Sequence, residues 1–460
     1  MHPGIMERAE VRVESVNSRG HGVSRAGEEK FVYFVPGALP GEVVRGRVSL
    51  LKKSYGVIDI EEITEHHAER ISPRCPFYGD CGGCVLQHAS YRLQMEIKDR
   101  IVTDAFRKIA GVSSPLIEPC RPSPSQWGYR NKASFPVGMD GNKKIPGFFR
   151  SGSHDLVPVD VCPVLDPRLE RWIGPLSLIL EKSRLEAYEE SSHSGYLRHV
   201  VARCAMNTDS TLLVPVLNLS RADVLPKEVV EFAEALMEGL GGVRGVVANF
   251  NSSPGNTIFG GFSKSVAGNP FIAEKMDDFH LKYGPTSFFQ INIQQATSLF
   301  RAVTGELSES KSERVLELYS GTGALTVFLA QNRKRVHAVE DWPESAGFLK
   351  TNATVNSMGN VEALEMSAER AVKFLSGRWF DAVVMDPPRK GCSDQVLKGI
   401  CSLKPPRIVY ISCNPATLAR DSVLLMQNGY RLEKIQPFDM FPQTFHIECV
   451  ATFQRSRKKR

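Results

Sequence analysis

The spacing of apolar residues changes three times along the chain. Up to about Glu65 they alternate with polar residues in short runs: Val11-Arg-Val-Glu-Ser-Val16, Phe31-Val-Tyr-Phe-Val35, residues 42–48 and residues 56–63. Asn17-Ser-Arg-Gly20 and Pro36-Gly37 supply turns between them. Period two at roughly ten-residue intervals predicts short strands forming a small β-barrel. Residues 91–110 switch to helical spacing, with Leu93, Ile97, Ile101, Ala105 and Ile109 on one stripe. Residues 119–283 mix strand-like runs (132–135, 196–206 and 211–219) with helical patterns over 168–189 and 227–240. This middle part reads as a mixed α+β, largely antiparallel region.

From about Gly284 the pattern becomes β/α alternation. A strand at Val315-Leu-Glu-Leu-Tyr319 meets a tight turn, Ser320-Gly-Thr-Gly323, and then a helix over 324–331. The next strand, 335–339, ends at Glu340. A helix (344–356), a strand (361–366), a helix (368–375) and a strand (380–385) follow, the last ending in Asp386-Pro-Pro-Arg-Lys-Gly391. After one more helix comes Arg407-Ile-Val-Tyr-Ile-Ser412. Its β-branched and aromatic content suits a strand covered on both faces. Cys413-Asn414-Pro415 stops it, because proline lacks the N–H and pushes the preceding residue out of helical conformation. Runs at 430–436 and 446–453 add an antiparallel pair. The order is that of a doubly wound α/β sheet. The expected domains are thus a barrel over 1–68, a central domain over 69–284 and a Rossmann-like domain over 285–460.

Composition narrows the setting. A length of 460 residues allows about three domains. No apolar run reaches the roughly 18 residues of a membrane helix, and residues 1–10 lack a signal-peptide core. These features predict a cytoplasmic protein with no membrane partner. Its ten cysteines then point to metal ligands or catalysis rather than disulfides. A net charge of +6 suits a polyanionic partner. The basic end, Arg455-Ser-Arg-Lys-Lys-Arg460, reads first as a solvated tail. Trp127-Gly-Tyr-Arg-Asn-Lys132 suits stacking on splayed bases, and equally a core aromatic beside surface cations.

Four places carry chemistry. Cys75-Pro-Phe-Tyr-Gly-Asp-Cys81-Gly-Gly-Cys84 brings three thiols into a glycine-loosened loop, and Cys162 is the best fourth ligand. Spacing alone leaves zinc and an iron–sulfur cluster both open. Ser320-Gly-Thr-Gly323 followed by Glu340 is the layout for an adenosine-containing cofactor: glycines let the backbone approach, and the acid holds ribose hydroxyls. The missing third glycine favours S-adenosylmethionine over NAD. Asp386 is held at the same sheet edge by two prolines. Cys413 ends a strand before a helix N-terminus, where the dipole favours thiolate; taken alone, it is as readily a space-filling core cysteine. Glu448 sits in an apolar strand and either faces solvent or has a task. Alkylating carbon 5 of uracil needs both a thiolate that adds to carbon 6 and a base that removes the carbon-5 proton. Cys413 and Glu448 are such a pair.

The chain resembles the RNA uracil-5 methyltransferase family over nearly its full length. It is most similar to members with a TRAM domain and an iron–sulfur cluster that modify 23S ribosomal RNA. Gly20-His-Gly-Val-Ser24 and Val35-Pro-Gly-Ala-Leu-Pro-Gly-Glu42 carry the TRAM likeness. Cys75 to Cys84 with Cys162, Ser287-Phe-Phe-Gln-Ile-Asn292, Leu318 to Gly323, Asp386 to Gly391, Ser412 to Asp421 and His446 to Val450 carry the rest. Ser320 stands where many relatives have cysteine. The resemblance implies that Cys413 is the nucleophile and Glu448 the base. Gln290, Tyr319, Glu340 and Asp386 would hold S-adenosylmethionine or the target base. Cys75, Cys81, Cys84 and Cys162 would bind a 4Fe–4S cluster, the TRAM barrel would bind RNA, and helix 91–110 would pack on the methyltransferase domain. The expected state is a monomer. The alternatives are the same chemistry on transfer RNA, a non-catalytic RNA-binding or ribosome assembly factor, and a radical enzyme, for which the cysteine spacing is wrong.

Overall fold

The computed structural model describes residues 5–26, 31–112, 116–221, 224–309, 312–331, 333 and 335–456. Most of the basic tail, residues 457–460, lies outside the described residues. The first strands are β1 (Arg8–Arg12), β2 (Ser15–Val16), β3 (Gly22–Ala26), β4 (Phe31–Val35), β5 (Val43–Leu51) and β6 (Tyr55–Glu65). They form one sheet in the order β1-β5-β6-β4-β3-β2. Alternation does not reveal β3, whose sequence Gly-Val-Ser-Arg-Ala has one large apolar side chain. Val11, Val13, Tyr33, Val35, Val44, Val48 and Ile58 fill the core of this sheet. Glu42 is buried beside it. Burial pushes its carboxyl up, but two bonds from Arg70 (2.6 and 2.8 Å) and backbone N–H donors of Leu39 and His67 prevail, holding it below the usual range.

Helix α1 (Tyr91–Ala105) starts at Ser90, whose hydroxyl accepts from the Leu93 N–H. It ends in a π turn over Phe106–Ala110. The wider turn shifts the helical phase. The predicted stripe therefore fails after Ile101: Phe106 is fully buried and Ile109 is 45% exposed.

The central strands β7 (Lys132–Asp140), β8 (Lys143–Phe149), β9 (Leu156–Pro158), β10 (Leu197–Cys204), β11 (Thr211–Leu217), β12 (Gly245–Phe250) and β13 (Phe262–Gly268) pair in the order β13-β12-β11-β10-β7-β8-β9. Only β11 and β12 run parallel. Helices α2 (Pro167–Glu170), α3 (Ile173–Lys182) and α4 (Lys227–Gly239) accompany them. The helix expected over 168–189 is thus broken, and it stops where Ser183 turns extended. A hairpin of β14 (Ile272–Met276) and β15 (Phe279–Tyr283) and helix α5 (Ile293–Glu309) lead into the last sheet.

That sheet alternates β16 (Arg314–Leu318), α6 (Ala324–Ala330), β17 (Arg335–Glu340), α7 (Pro343–Val355), β18 (Val361–Glu365), α8 (Ala368–Phe374), β19 (Ala382–Met385), α9 (Asp394–Leu403), β20 (Arg407–Ser412) and α10 (Pro415–Gln427). It ends with β21 (Tyr430–Phe438) and β22 (Glu448–Arg455). The strand order is β18-β17-β16-β19-β20-β22-β21. The strands from β18 to β20 in that order are parallel, and β22 lies antiparallel between β20 and β21. Successive side chains of β20 divide between two cores, Ile408 and Tyr410 on one face, Val409 and Ile411 on the other.

Helix α1 packs on the first of these faces through Leu93, Ile97, Ile101 and Val102. Lys98 on α1 pairs with Asp439, just after β21, and both side chains are 0% exposed. Tyr91 Oη also donates to Asp439 (2.8 Å), and Lys98 Nζ to the Phe441 carbonyl (3.1 Å). Among the described residues, no helix is long and apolar enough to cross a membrane.

Lys98→Ala leaves Asp439 buried without its cation and should cost about 3–5 kcal/mol, read as a lower denaturant midpoint. Lys98→Met with Asp439→Leu should recover most of that loss. A single variant as stable as the parent would show that the ion pair does not fasten α1 to the sheet.

Candidate active site

The last sheet reverses its winding between β16 and β19, and the carboxyl ends of these strands open a crevice. Side-chain alternation decides what faces it. Val315, Val336, Val384, Ile411 and Val450 belong to one core, and Leu316, Val339, Val383, Tyr410 and Cys449 to the other. Counting by twos from the first set places Glu317, Glu340, Asp386, Cys413 and Glu448 on a single face.

The turn after β16 is tight. Tyr319 (φ 64°), Gly321 (φ 56°) and Gly323 (φ 81°) all have left-handed backbone. The Ser320 N–H donates to the Val339 carbonyl at 2.9 Å, tying the turn to β17. A Cβ at Gly323 would stand 2.5 Å from Leu349 Cδ1, so α7 can pass close only because no side chain is there. Glu340 closes the turn from the other side: its Oε2 accepts from the Gly321 N–H and its Oε1 from the Trp342 N–H, both at 2.9 Å. Each oxygen keeps acceptor capacity for a hydroxyl.

Glu317 escaped the sequence reading, although an acid inside Val-Leu-Glu-Leu carries the same signal as Glu448. It is buried, it accepts from Thr326 Oγ1 (2.6 Å), and burial with the charges of Asp386 and Glu340 raises it to about 8. Asp386 is raised to about 7 by burial. The loop after it is pinned to the start of α10. Asn414 Nδ2 (3.2 Å) and Thr417 Oγ1 (3.3 Å) donate to the Arg389 carbonyl, and Arg420 Nη2 donates to that of Lys390 (2.9 Å).

Cys413 and Glu448 meet through strand register. β20 and β22 pair antiparallel, with Ile411 opposite Val450 and Ser412 opposite Cys449. One step further sets Cys413 across from Glu448. The sequence reading expected a helix dipole to favour the thiolate. The structure shows a stronger opposing effect: burial, then the charges of Glu448 and Asp386, push the Cys413 thiol up to about 11, against Arg389 and a backbone hydrogen bond. Glu448 is 4% exposed, and burial and Asp386 raise it well above the usual carboxylate range. Left to themselves, these groups cannot all be charged at neutral pH.

Gln290 lies in the loop between β15 and α5. Its carbonyl accepts from Asn131 Nδ2 (3.1 Å), and Arg203 donates to the carbonyls of Gly284 (3.3 Å) and Ser287 (2.8 Å). On the other side Glu344 accepts from Thr286 Oγ1 (2.6 Å) and Ser287 Oγ (2.7 Å), joining the loop to the helix that follows Glu340. Phe289 stacks on Tyr283, while Phe288 is 70% exposed between buried neighbours, a presentation that sequence alone does not disclose.

Cys75, Cys81, Cys84 and Cys162 line one cavity of ≈ 270 Å³, together with Arg130 and Lys132. Among the described residues, no three Cys, His, Asp or Glu side chains converge closely enough to hold a single metal ion. The four thiols expected to hold a 4Fe–4S cluster are thus spread around one cavity wall. Burial raises all four thiols, Cys162 to about 12.

The fold and the crevice define a Rossmann-like methyltransferase. The family described as tRNA (Uracil-5-)-methyltransferase matches residues 269–456. An uncharacterized RNA methyltransferase of Gloeobacter violaceus is 37% identical and covers 99% of both chains. Another, from Halalkalibacterium halodurans, is 35% identical, with 97% of this chain and 96% of its own covered. Among solved structures, the Pyrococcus abyssi tRNA (uracil-54, C5)-methyltransferase in complex with S-adenosyl-L-homocysteine is 27% identical. It gives a TM-score of 0.76 and covers 97% of this chain and 100% of that one. The chain belongs to the tRNA/RNA uracil-5-methyltransferase family, and is an S-adenosylmethionine-dependent enzyme.

Two outcomes test this geometry. Alkylation of Cys413 in the free enzyme, followed on its peptide by mass spectrometry, should be slow at pH 7.5 and climb about tenfold per pH unit through pH 9–10, as a raised thiol requires. A rate that plateaus below pH 7 would mean a stabilised thiolate instead. Gly323→Ala should lower stability by about 1–3 kcal/mol and weaken cofactor binding, since it adds both a clash and a strained backbone; calorimetry reads both.

Proposed function

We propose that this enzyme methylates carbon 5 of a uridine in 23S ribosomal RNA through a covalent adduct between Cys413 and the base. The observation that carries this reading is the register of β20 and β22, which sets a thiol and a buried carboxylate across from each other at the crevice. An enzyme methylating an exocyclic amine would need neither. The target uridine must be splayed out of any helix to enter.

Cys413 loses its proton to solvent water, and its sulfur bonds to carbon 6. The ring's π pair moves onto the carbon 4 carbonyl, making carbon 5 nucleophilic. The methyl group then passes from the sulfonium to carbon 5, and the donor becomes a neutral thioether. Carbon 5 now holds both a methyl group and a hydrogen. Glu448 takes that proton, the C–H pair restores the double bond, and the Cys413–carbon 6 bond breaks. Burial and the Asp386 charge increase the proton affinity of Glu448, which suits a base that deprotonates carbon. It must first release to solvent water the proton it holds at rest. A sulfonium beside Cys413 adds positive charge to a crevice of acids, and so favours the thiolate that the ligand-free site disfavours.

In this reading Glu340 holds ribose hydroxyls, the Tyr319 to Gly323 turn lies against the cofactor, and Gln290 and Asp386 contact cofactor or base. The four cysteines hold a 4Fe–4S cluster. Thiols spread around a cavity suit a cube of irons better than a single ion, because the cube reaches further than one atom. Bound there, the cluster would tie the Cys75–Cys84 loop to Cys162 and so would order the central region for RNA. Residues 1–68 act as the RNA-binding barrel, 69–284 as the cluster-bearing domain and 285–460 as the methyltransferase. Transfer RNA is the second reading, favoured by the substrate named for the Pyrococcus abyssi structure.

Cys413→Ala should abolish methylation, and Glu448→Gln should accumulate an RNA–protein adduct that resists denaturing gels. Turnover in the first variant, or no adduct in the second, would reject the assigned roles. Mapping 5-methyluridine in ribosomal and transfer RNA with and without the enzyme separates the two substrates. Anaerobically purified protein should contain about four irons and four sulfides per chain, and Cys81→Ala should lose them. Metal-free wild-type protein would remove the cluster from the account.

A further inference from the structure

His446 stands two residues before Glu448. Ile447 and Cys449 both belong to one apolar core, and Glu448 opens β22 between them. The imidazole lies near Phe441 and Phe445, with ring centroids at 5.8 and 4.3 Å. Its Nδ1 is 3.2 Å from Nη2 of Arg389, in the loop that begins at Asp386. A guanidinium only donates hydrogen bonds. Nδ1 is therefore the acceptor, and the ring proton sits on Nε2. Burial and the cations Arg389, Arg130 and Lys98 lower the imidazole to about 4, so the neutral ring prevails at pH 7. Arg389 thus selects one tautomer and leaves one N–H donor on a ring held by the same guanidinium whose charge acts on Cys413 and Glu448.

That donor matches a need of the reaction. When Cys413 adds to carbon 6, the displaced electron pair settles on oxygen 4 of uracil. A fixed N–H aimed there binds the developing oxyanion more tightly than the resting carbonyl. It also discriminates between pyrimidines. Uracil offers an acceptor at position 4, whereas cytosine offers an amino donor that would oppose Nε2–H. The acids of the crevice cannot serve here while ionised, because a carboxylate only accepts.

We infer that His446, held by Arg389 in its Nε2–H tautomer, is a further catalytic residue that donates to oxygen 4 of the target base and stabilises the enolate formed by Cys413. This inference rests on the covalent mechanism proposed above.

The test is the rate of covalent trapping of 5-fluorouridine RNA by the full-length enzyme with S-adenosylmethionine, beside RNA affinity measured by filter binding. The wild type, Cys413→Ala, His446→Ala and His446→Gln are compared. Glutamine keeps an N–H donor of similar reach. His446→Ala should trap about a hundredfold more slowly with RNA affinity unchanged, and His446→Gln should recover a large part of that rate. A wild-type enzyme that traps nothing defeats the covalent mechanism itself. If the wild type traps through Cys413 while His446→Ala traps equally fast, the inference alone fails. It fails also if the alanine variant loses rate and RNA affinity together and glutamine restores neither, because His446 would then be structural.

Discussion

The antiparallel pairing of β20 with β22 is the constraint on which the site depends. A parallel doubly wound sheet brings its reactive ends together only from strands running the same way. Here the final strand runs backwards, so its beginning, not its end, reaches the crevice. Glu448 opens β22 as Cys413 follows β20, and the ladder between them fixes their opposition. A slip of one residue would turn Glu448 into the core and Cys449 outward. Buried apolar side chains on both faces guard against it, with Val450 and Ile411 on one side and Cys449 and Ala451 on the other. The connection from β21 to β22 is held in turn by Asp439, and through it by Lys98 of α1.

Around that pair the protein concentrates groups that resist being charged together. Glu317, Asp386, Glu448 and Cys413 are all raised, chiefly by burial, and the charge of Asp386 adds to the rise at the other three. Such a crevice is poorly disposed to generate a thiolate until a cation arrives. On the proposed mechanism, Cys413 is thereby slow to react with stray alkylating agents, and its activation waits on the cationic methyl donor. Arg389 belongs to this balance as well: it opposes the acids at Cys413 and fixes the tautomer of His446.

Much of this was legible in the chain. The glycine turn, the acid ending β17 and the proline-stiffened strand end after β19 announce themselves, because short buried strands leave little ambiguity of period. The β20 strand was read with its observed bounds. Other features were not legible. The β14–β15 hairpin and α5 lack a pattern distinct from their surroundings. The π turn after α1 moves Phe106 inward and Ile109 outward in a way no helical count anticipates. The pairing of Lys98 with Asp439 joins residues too far apart in sequence for local reasoning. For Cys413, the position of a strand end suggested a low thiol affinity for protons, yet burial, and then the charges of Glu448 and Asp386, reverse that tendency. Local placement predicts where a group lies; its charge state depends on what the fold brings opposite.

The most direct measurement of the central claim is a crystal structure of Glu448→Gln trapped with its RNA substrate and S-adenosylmethionine. The account predicts a bond from Cys413 Sγ to carbon 6, a methyl group already on carbon 5, and the side chain at 448 facing that carbon. A bond to any other residue, or a base seated away from β22, would contradict it.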